Sequence, residues 1–275
     1  MNLKTDNQDN VTGIPKVSQE GIVVAVFLAF LATAGLFYVN LGGAFLSAFV
    51  DGLGISRESA GYITSANKYG AAFGALLATF TVKYIPWRQS AYLTLITLIS
   101  VDVLSFSLND PDILIIVRFI HGTIGGFLVG LGFSIIAKTA SPDRVFGMLV
   151  AIQYTFGSVG IFTVPKLVGT FGPGAAFGAL ITFSTITLIM VPFIPDYAER
   201  DDNRDPSNQS GGPKTILLAP AALGLLALFF FQSSNMGIAD YAIELGKDNG
   251  YSIAYLSNIL TVANIIAVSG ALLVY

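Results

Sequence analysis

The sequence predicts an all-α integral membrane protein, and three of its properties support that fold class. Apolar residues make up 53% of the chain and charged residues only 11%, whereas soluble domains carry about 25% charged residues. The mean hydropathy is +0.71. The apolar residues also fall into separate stretches of about 20, the length that a helix needs to cross a bilayer. So few charges leave too little polar surface to cover a fold in water.

Eight stretches have the length and apolar character of spanning helices. The first begins after a polar segment, residues 1–20, and carries no clear cleavage site, so it predicts a spanning helix behind a short tail rather than a signal peptide. Breakers such as Gly, Pro, Asn and Asp separate most of the stretches. In chain order, the predicted spans are 22–49, 59–82, 90–108, 111–137, 145–164, 175–193, 215–237 and 252–275.

The longest linker, residues 196–214, is charged and rich in Asn, Ser, Pro and Gly, which predicts a flexible connector between spans six and seven. Lysine and arginine residues are concentrated on one side of the predicted topology, and this bias places the N-terminus and the linker in the cytoplasm. The predicted cytoplasmic set is Lys4, Lys16, Lys83, Arg88, Lys138, Arg144, Arg200, Arg204 and Lys214, against Arg57, Lys166 and Lys247 outside.

An internal repeat relates the second span to the eighth. The segments that begin at Gly54 and Gly250 both open with Gly-x-Ser and both reach Gly-Ala-Leu-Leu at the same spacing, with a constant offset of 196 residues. The offset predicts a six-span unit that starts again at span seven, an arrangement known from transporters built of parallel repeats. Two interpretations stay open: a chain that lacks four further spans, which we expect, or an eight-span protein complete as it stands.

The chain resembles the major facilitator superfamily from about residue 22 to residue 275. The resemblance rests on the turn and second span "LGISRESAGYITSANKYGAAFGALL", on the Arg-x-x-x-Gly pattern of Arg118 and Gly122, and on the charged central linker. It implies a six-helix bundle, residues 21–195, followed by the first two helices of a second bundle, residues 215–275, or about 8 of 12 spans. It also implies a secondary transporter that works by alternating access in a cell membrane of the bacterial inner-membrane type.

Two segments depart from the family's pattern. The loop between spans two and three has Lys83 near the expected acidic residue and Pro86 near the expected glycine, and only Arg88 fits. Span five, with "GSVGIFTVPKLVG", lacks the Gly-Pro pair and the Gly-Gly ending of drug antiporters. The second departure weighs against an efflux function.

Ionisable residues inside spans face a cavity or a partner, because exposing them to lipid costs about 2.5 to 3.5 kcal/mol each. Arg118, His121 and Gly122 share one face of span four. Arg118 either binds solute or pairs with Asp102 at a similar depth of span three, and His121 either titrates or packs as a hydrogen-bonded ring.

Lys68 lies near the middle of span two and either faces a cavity or pairs with Asp102. Further polar residues in the spans are weaker candidates, since each is more often a helix–helix hydrogen bond than a ligand. The candidates carried forward are Arg118, His121, Lys68, Asp102, Asn40, Tyr38, Gln153, Tyr154 and Asn235, with Gln232 and Asn264 as further polar positions.

The excess of positive charge in the spans favours an anionic or strongly polar organic solute, with His121 or Asp102 as the proton-coupling group. No metalloprotease, nucleotide-binding or filter-loop pattern is present, so neither an enzyme nor a channel is expected. The chain has no cysteine, which excludes disulfides and thiolate metal sites. We expect a monomer without cofactor, metal or nucleic acid. The alternatives are a truncated inactive remnant and a non-transporting membrane sensor.

Overall fold

The computed structural model describes residues 15–197 and 218–272, which form nine α-helices and no strand. The predicted linker beyond residue 197 and most of the predicted tail lie outside the described residues. We call α1 to α7 the first bundle. The helices are α1 Ile22–Asn40, α2 Gly42–Ser47, α3 Arg57–Thr81, α4 Trp87–Ser105, α5 Pro111–Ile136, α6 Pro142–Phe171, α7 Gly174–Met190, α8 Leu218–Asp248 and α9 Ile253–Leu272.

Within the described parts of the chain, five helices are long and apolar enough to cross a membrane by length and composition. α3 and α4 are not among them, and the apolar part of α9 is shorter, at Ile253–Ile266. The count of eight spans therefore stays a prediction. The five segments are Ile22–Asn40, Pro111–Ile136, Pro142–Phe171, Gly174–Phe193 and Ala222–Asp248.

α1 occupies the centre of the first bundle and packs against α5, α6 and α7. Its residues are apolar or small almost all round, which is the pattern of a helix buried on every side. Phe30 and Phe37 both stack on Phe183 of α7, with ring centroids 5.0 and 4.3 Å apart. Phe156 of α6 meets Phe30 edge to face at 5.1 Å, so one aromatic cluster joins three helices.

Glycines let α5 approach α3 until the two backbones touch. A Cβ atom added at Gly122 or Gly126 would fall on the carbonyl oxygen of Asn67 or Ala71, and one at Gly70 would fall on that of Phe119. Small residues that allow such contact are the usual basis of helix packing in membranes, because moving a helix surface from lipid to protein gives no hydrophobic driving force. The glycine of the Arg-x-x-x-Gly pattern, Gly122, therefore has a packing role.

The helix bounds and turns of the described residues support the internal repeat. The first span, α1 through the π-helical turn Ala48–Gly52, occupies residues 22–52, and α8 occupies 218–248, which is the same range shifted by 196. Gly54 and Gly250 both have positive φ, +67° and +83°. Ser56 and Ser252 then accept hydrogen bonds from the backbone N–H three residues on, at 3.1 and 3.3 Å. Equivalent turns thus begin equivalent helices, α3 and α9.

Residues related by the 196-residue offset also touch one another. Lys247 Nζ lies 2.8 Å from Asp51 Oδ1, and a Cβ added at Gly43 would lie 3.1 Å from the carbonyl oxygen of Ala239. In a two-fold arrangement, a residue meets its own equivalent only at the axis. A pseudo-two-fold axis therefore passes between α2 and α8.

The predicted end of span seven at residue 237 is wrong, because α8 continues to Asp248. Charged residues follow Gly237 on the same helix. In the structure these charges are paired across α8 to the first bundle, so the helix carries them without exposing them to lipid. They include Asp240, Glu244, Lys247 and Asp248.

Arg88, the residue that keeps the family pattern between spans two and three, closes the opposite end of the first bundle. It donates to the carbonyl oxygens of Val191 and Ile194 at 2.8 and 2.7 Å and to Asp196 Oδ1 at 3.0 Å. Lys16 contacts the other oxygen of Asp196 at 2.5 Å. Burial alone would raise the pKa of Asp196, but the hydrogen bonds from Lys16 and Arg88 outweigh it and lower that pKa.

Candidate functional site

Asp102 of α4 and Arg118 of α5 form an ion pair that is sealed inside the first bundle. Both side chains are 0% exposed, and Arg118 Nη1 donates to Asp102 Oδ1 at 2.9 Å. The expectation that Asp102 lies close to Arg118 or Lys68 is confirmed for Arg118. The other interpretation, in which Arg118 meets solute directly, has no support in this geometry because nothing from solvent reaches the guanidinium.

The remaining surroundings of Arg118 are aromatic and hydroxyl groups. Its Nη2 donates to Ser105 Oγ, and its guanidinium carbon lies 5.1 Å from the ring centre of Phe177 and 5.7 Å from that of Tyr38. Cation–π contacts of this kind stabilise a desolvated guanidinium. Arg118 Nε is buried with no hydrogen-bond partner among the described residues.

His121 is held between two fixed partners. Asn67 Nδ2 donates to the carbonyl oxygen of Arg118 at 3.1 Å. Because a carbonyl oxygen can only accept, this contact fixes which end of the Asn67 amide is the NH₂ group. The same NH₂ group therefore donates to His121 Nδ1, at 2.9 Å. Nδ1 is therefore an acceptor, so the proton sits on Nε2, which lies 3.3 Å from Asp102 Oδ2. The geometry assigns His121 the neutral Nε2–H tautomer. This agrees with a hydrogen-bonded packing role.

Lys68 of α3 pairs with Asp240 of α8, and not with Asp102 as one interpretation of the sequence expected. The Lys68 side chain is 20% exposed and that of Asp240 10%. Asp240 packs on the break between α1 and α2, where its Oδ1 occupies the position that a Cβ of Gly42 would take. This pair thus joins the first bundle to α8.

A second set of charges joins the same two parts of the chain nearer the helix ends. We call Asp51, Arg57, Glu244, Lys247 and Asp248 the interface network. Arg57 binds Asp248 through both Nη atoms, at 2.5 and 2.7 Å, and Glu244 through Nε at 3.1 Å. Lys247 binds Asp51 at 2.8 Å and Glu244 at 2.6 Å. Glu244 is 1% exposed, so the network has a buried centre and a solvated rim.

Sequence reasoning missed this network, although the chain carried a signal for it. The first span was expected to end at residue 49. The repeat offset of 196 residues then places the end of span seven at residue 245, beyond Asp240 and Glu244. It also missed Asn67 and Ser105, which hold His121 and Arg118. Buried partners of these kinds leave no periodic trace in one sequence.

The other predicted candidates differ in burial. The Tyr38 hydroxyl and Asn40 Nδ2 are buried without a partner among the described residues. Gln153 is half-buried, Tyr154 is 40% exposed and Asn235 is exposed. A cavity of about 540 Å³ lies between α3 and α5, beside Lys83 and Lys138, and none of the nine candidates lines it.

Comparison with known proteins gives two findings. The family model described as Major Facilitator Superfamily matches residues 22–275. A curated protein of Arabidopsis thaliana named D-xylose-proton symporter-like 2 is 30% identical over 167 residues. The aligned part covers 56% of this chain and 31% of that protein. The chain therefore matches less than a third of that relative's length.

Proposed function

The chain belongs to the major facilitator superfamily, and from that premise we propose that it acts in a secondary transporter that moves a small polar solute by alternating access. The observation that supports this most is the chemistry of the contact between the first bundle and α8. Ion pairs cross that contact, at Lys68–Asp240 and in the interface network. The family and the apolar helices make the chain a multi-pass membrane protein.

The two kinds of contact differ in how readily they open. α3 and α5 touch backbone to backbone through glycines, so separating them would empty a close-packed surface. The ion pair of Arg57 and Asp248 has side chains 44% and 51% exposed, and pairs so exposed contribute little to stability. Water can replace these partners, so the interface network suits a surface that opens and closes during transport.

We propose that the end carrying Arg57 faces outward and that the N-terminus is cytoplasmic. The support is the bias of lysine and arginine toward the other end, which carries Lys16 and Arg88. In this orientation, the structure has its outer side closed by the interface network. We also propose that the protein is a monomer in a cell membrane of the bacterial inner-membrane type.

A neutral polar solute fits the described charges better than an anionic one. The expectation of an anion came from counting Arg118, Lys68 and His121 as cations against Asp102 alone. Arg118 is paired with Asp102 and Lys68 with Asp240, so neither leaves an excess positive charge for a solute. The name of the plant relative mentions D-xylose and a proton, and we therefore propose a sugar-sized polyol or pentose as the solute, with proton coupling.

Uptake into proteoliposomes tests this proposal. The product of the complete reading frame that contains these residues, and the 275-residue chain by itself, are reconstituted and given labelled D-xylose with an inward proton gradient. We expect uptake above that of empty vesicles, stimulated by the gradient and abolished by a protonophore. Labelled succinate is the anionic comparison and is expected to remain at background.

Two results would count against the proposal. Succinate uptake without D-xylose uptake would restore the anionic solute. No uptake of either probe by either protein would favour the non-transporting alternatives, a membrane sensor or an inactive remnant.

A further inference from the structure

We propose that Asp240 is the residue that takes up the coupled proton, and that its protonation weakens the bond to Lys68 and lets α8 part from the first bundle. This inference rests on the proposed function, since it assigns the coupling group of the same transporter. It replaces His121 and Asp102, which the sequence had favoured for that role.

The position of Asp240 is the first argument. It lies on α8, where the whole residue is 7% exposed, and it packs against the glycines at the break between α1 and α2. A Cβ added at Gly43 would lie 3.2 Å from the carbonyl oxygen of Asp240, so α2 and α8 meet directly at this level. The pseudo-two-fold axis passes here. A charge change at this point therefore acts on the contact between the two halves of the repeat.

The number of partners is the second argument. Burial disfavours the charged form of a carboxyl group, and nearby cations favour it. Among the described residues, Asp240 has one such partner, Lys68, at the contact. Asp102 receives Arg118 and His121 together, and its guanidinium partner keeps its charge at any physiological pH. Asp240 can therefore become neutral at a lower free-energy cost than Asp102.

His121 is excluded from the role by its hydrogen bonds. Its Nδ1 accepts from Asn67, whose amide orientation is fixed by the carbonyl oxygen of Arg118. A second proton on the ring would face the Asn67 NH₂ group and break that contact.

The other charged groups near Asp240 do not compete for the proton. From α3, Arg57 stays protonated. From α1, the Tyr38 hydroxyl lies within electrostatic range of Asp240 and is neutral at physiological pH, because tyrosine ordinarily ionises near pH 10. One turn further along α8, Glu244 has two cations of its own, Arg57 and Lys247.

The step moves one proton and no electrons. The Asp240 carboxylate takes a proton from water at the partly exposed Lys68–Asp240 pair and becomes a carboxylic acid, while Lys68 keeps its ammonium charge. The ionic attraction across the contact is then lost, and the interface network remains as the weaker hold on the outer side. Release of the proton to the other side restores the carboxylate and closes the contact again.

The absence of cysteine allows a direct test of the motion in the 275-residue chain. Asn109→Cys, before α5, and Asn249→Cys, after α8, place nitroxide labels at two exposed positions in otherwise native protein. Double electron–electron resonance in liposomes then measures the distance distribution between the labels. Between about pH 8 and about pH 5, we expect the longer-distance population to rise from under about a tenth, typical of a minor state, to the majority.

Three variants identify the group responsible. Asp240→Asn, which mimics the protonated acid, and Lys68→Gln, which removes the partner, should each show the low-pH distribution at both pH values. Glu58→Gln is the matched control, an exposed acid on α3, the helix that carries Lys68, and should keep the pH response of the parent. If Asp240→Asn and Lys68→Gln still shift with pH as the parent does, or if the parent does not shift, the proposal is wrong. No solute is present, so either result leaves the transport proposal to the uptake assay.

Discussion

Replacing Asp102 with alanine should destabilise the first bundle by about 3 to 5 kcal/mol, the cost of leaving a buried charge without its partner. Asp102 and Arg118 are both fully buried, so neither water nor lipid headgroups can replace the lost contact. Arg118→Ala should have a similar effect, since it leaves the carboxylate alone with His121. The unfolding free energy in detergent micelles measures both.

The double variant separates the pair from its surroundings. Asp102→Ala combined with Arg118→Met leaves no buried charge, and we expect it to recover most of the stability that either single change removes, because apolar replacements of a buried ion pair are often neutral. Asp248→Ala is the control for an exposed pair and should cost far less than either buried change. A single change at Asp102 that costs as little as Asp248→Ala would contradict a sealed ion pair.

Gly126→Ala should be among the most damaging additions of a methyl group in the described part of the chain, at about 3 kcal/mol. The added Cβ would fall on the carbonyl oxygen of Ala71, which is backbone and cannot rotate away. Overpacking a rigid core ordinarily costs about 1 to 3 kcal/mol, and backbone contact belongs at the upper end. Loss of the α3–α5 contact is expected to lower the thermal midpoint of the whole bundle.

Gly178→Ala on α7 is the matched control, because a Cβ there would meet nothing within 4 Å. Alanine is favoured over glycine inside helices by about 0.5 to 1 kcal/mol, so this substitution should be neutral or stabilising. Thermal unfolding of the two variants measures the change in midpoint, which should be negative for Gly126→Ala and zero or positive for Gly178→Ala. Equal midpoints would mean that α3 and α5 do not pack through backbone contact.

The fold class and the Asp102–Arg118 pair could be predicted from the sequence for physical reasons. Composition alone excludes a water-soluble fold, and two antiparallel neighbouring spans bring residues near their shared turn to similar depth. The partner of Lys68 could not be predicted in this way. Asp102 is satisfied by α5, which packs along α4, and the partner that remains for Lys68 lies 172 residues away on α8.

The interface network was missed because span seven was expected to end at residue 237, before its charged residues. α8 continues to Asp248 and presents its charged turns to the first bundle. The anionic solute followed from counting Arg118, Lys68 and His121 against Asp102 alone, without Asp240, the partner of Lys68. In both cases the missing information was the partner helix, which a single sequence specifies only through the repeat offset.

The most direct test of the account is whether transport requires the contact between α8 and the first bundle to open. Asp51→Cys and Lys247→Cys, at positions whose native side chains lie 2.8 Å apart, can be joined by a reducible bifunctional thiol reagent in the reconstituted complete protein. Lys16→Cys and Asp196→Cys, a pair within the first bundle, provide the control. We predict that the link across the interface abolishes D-xylose uptake, that reduction restores it, and that the control link leaves uptake unchanged. Full uptake by the protein linked across the interface would contradict alternating access at this surface.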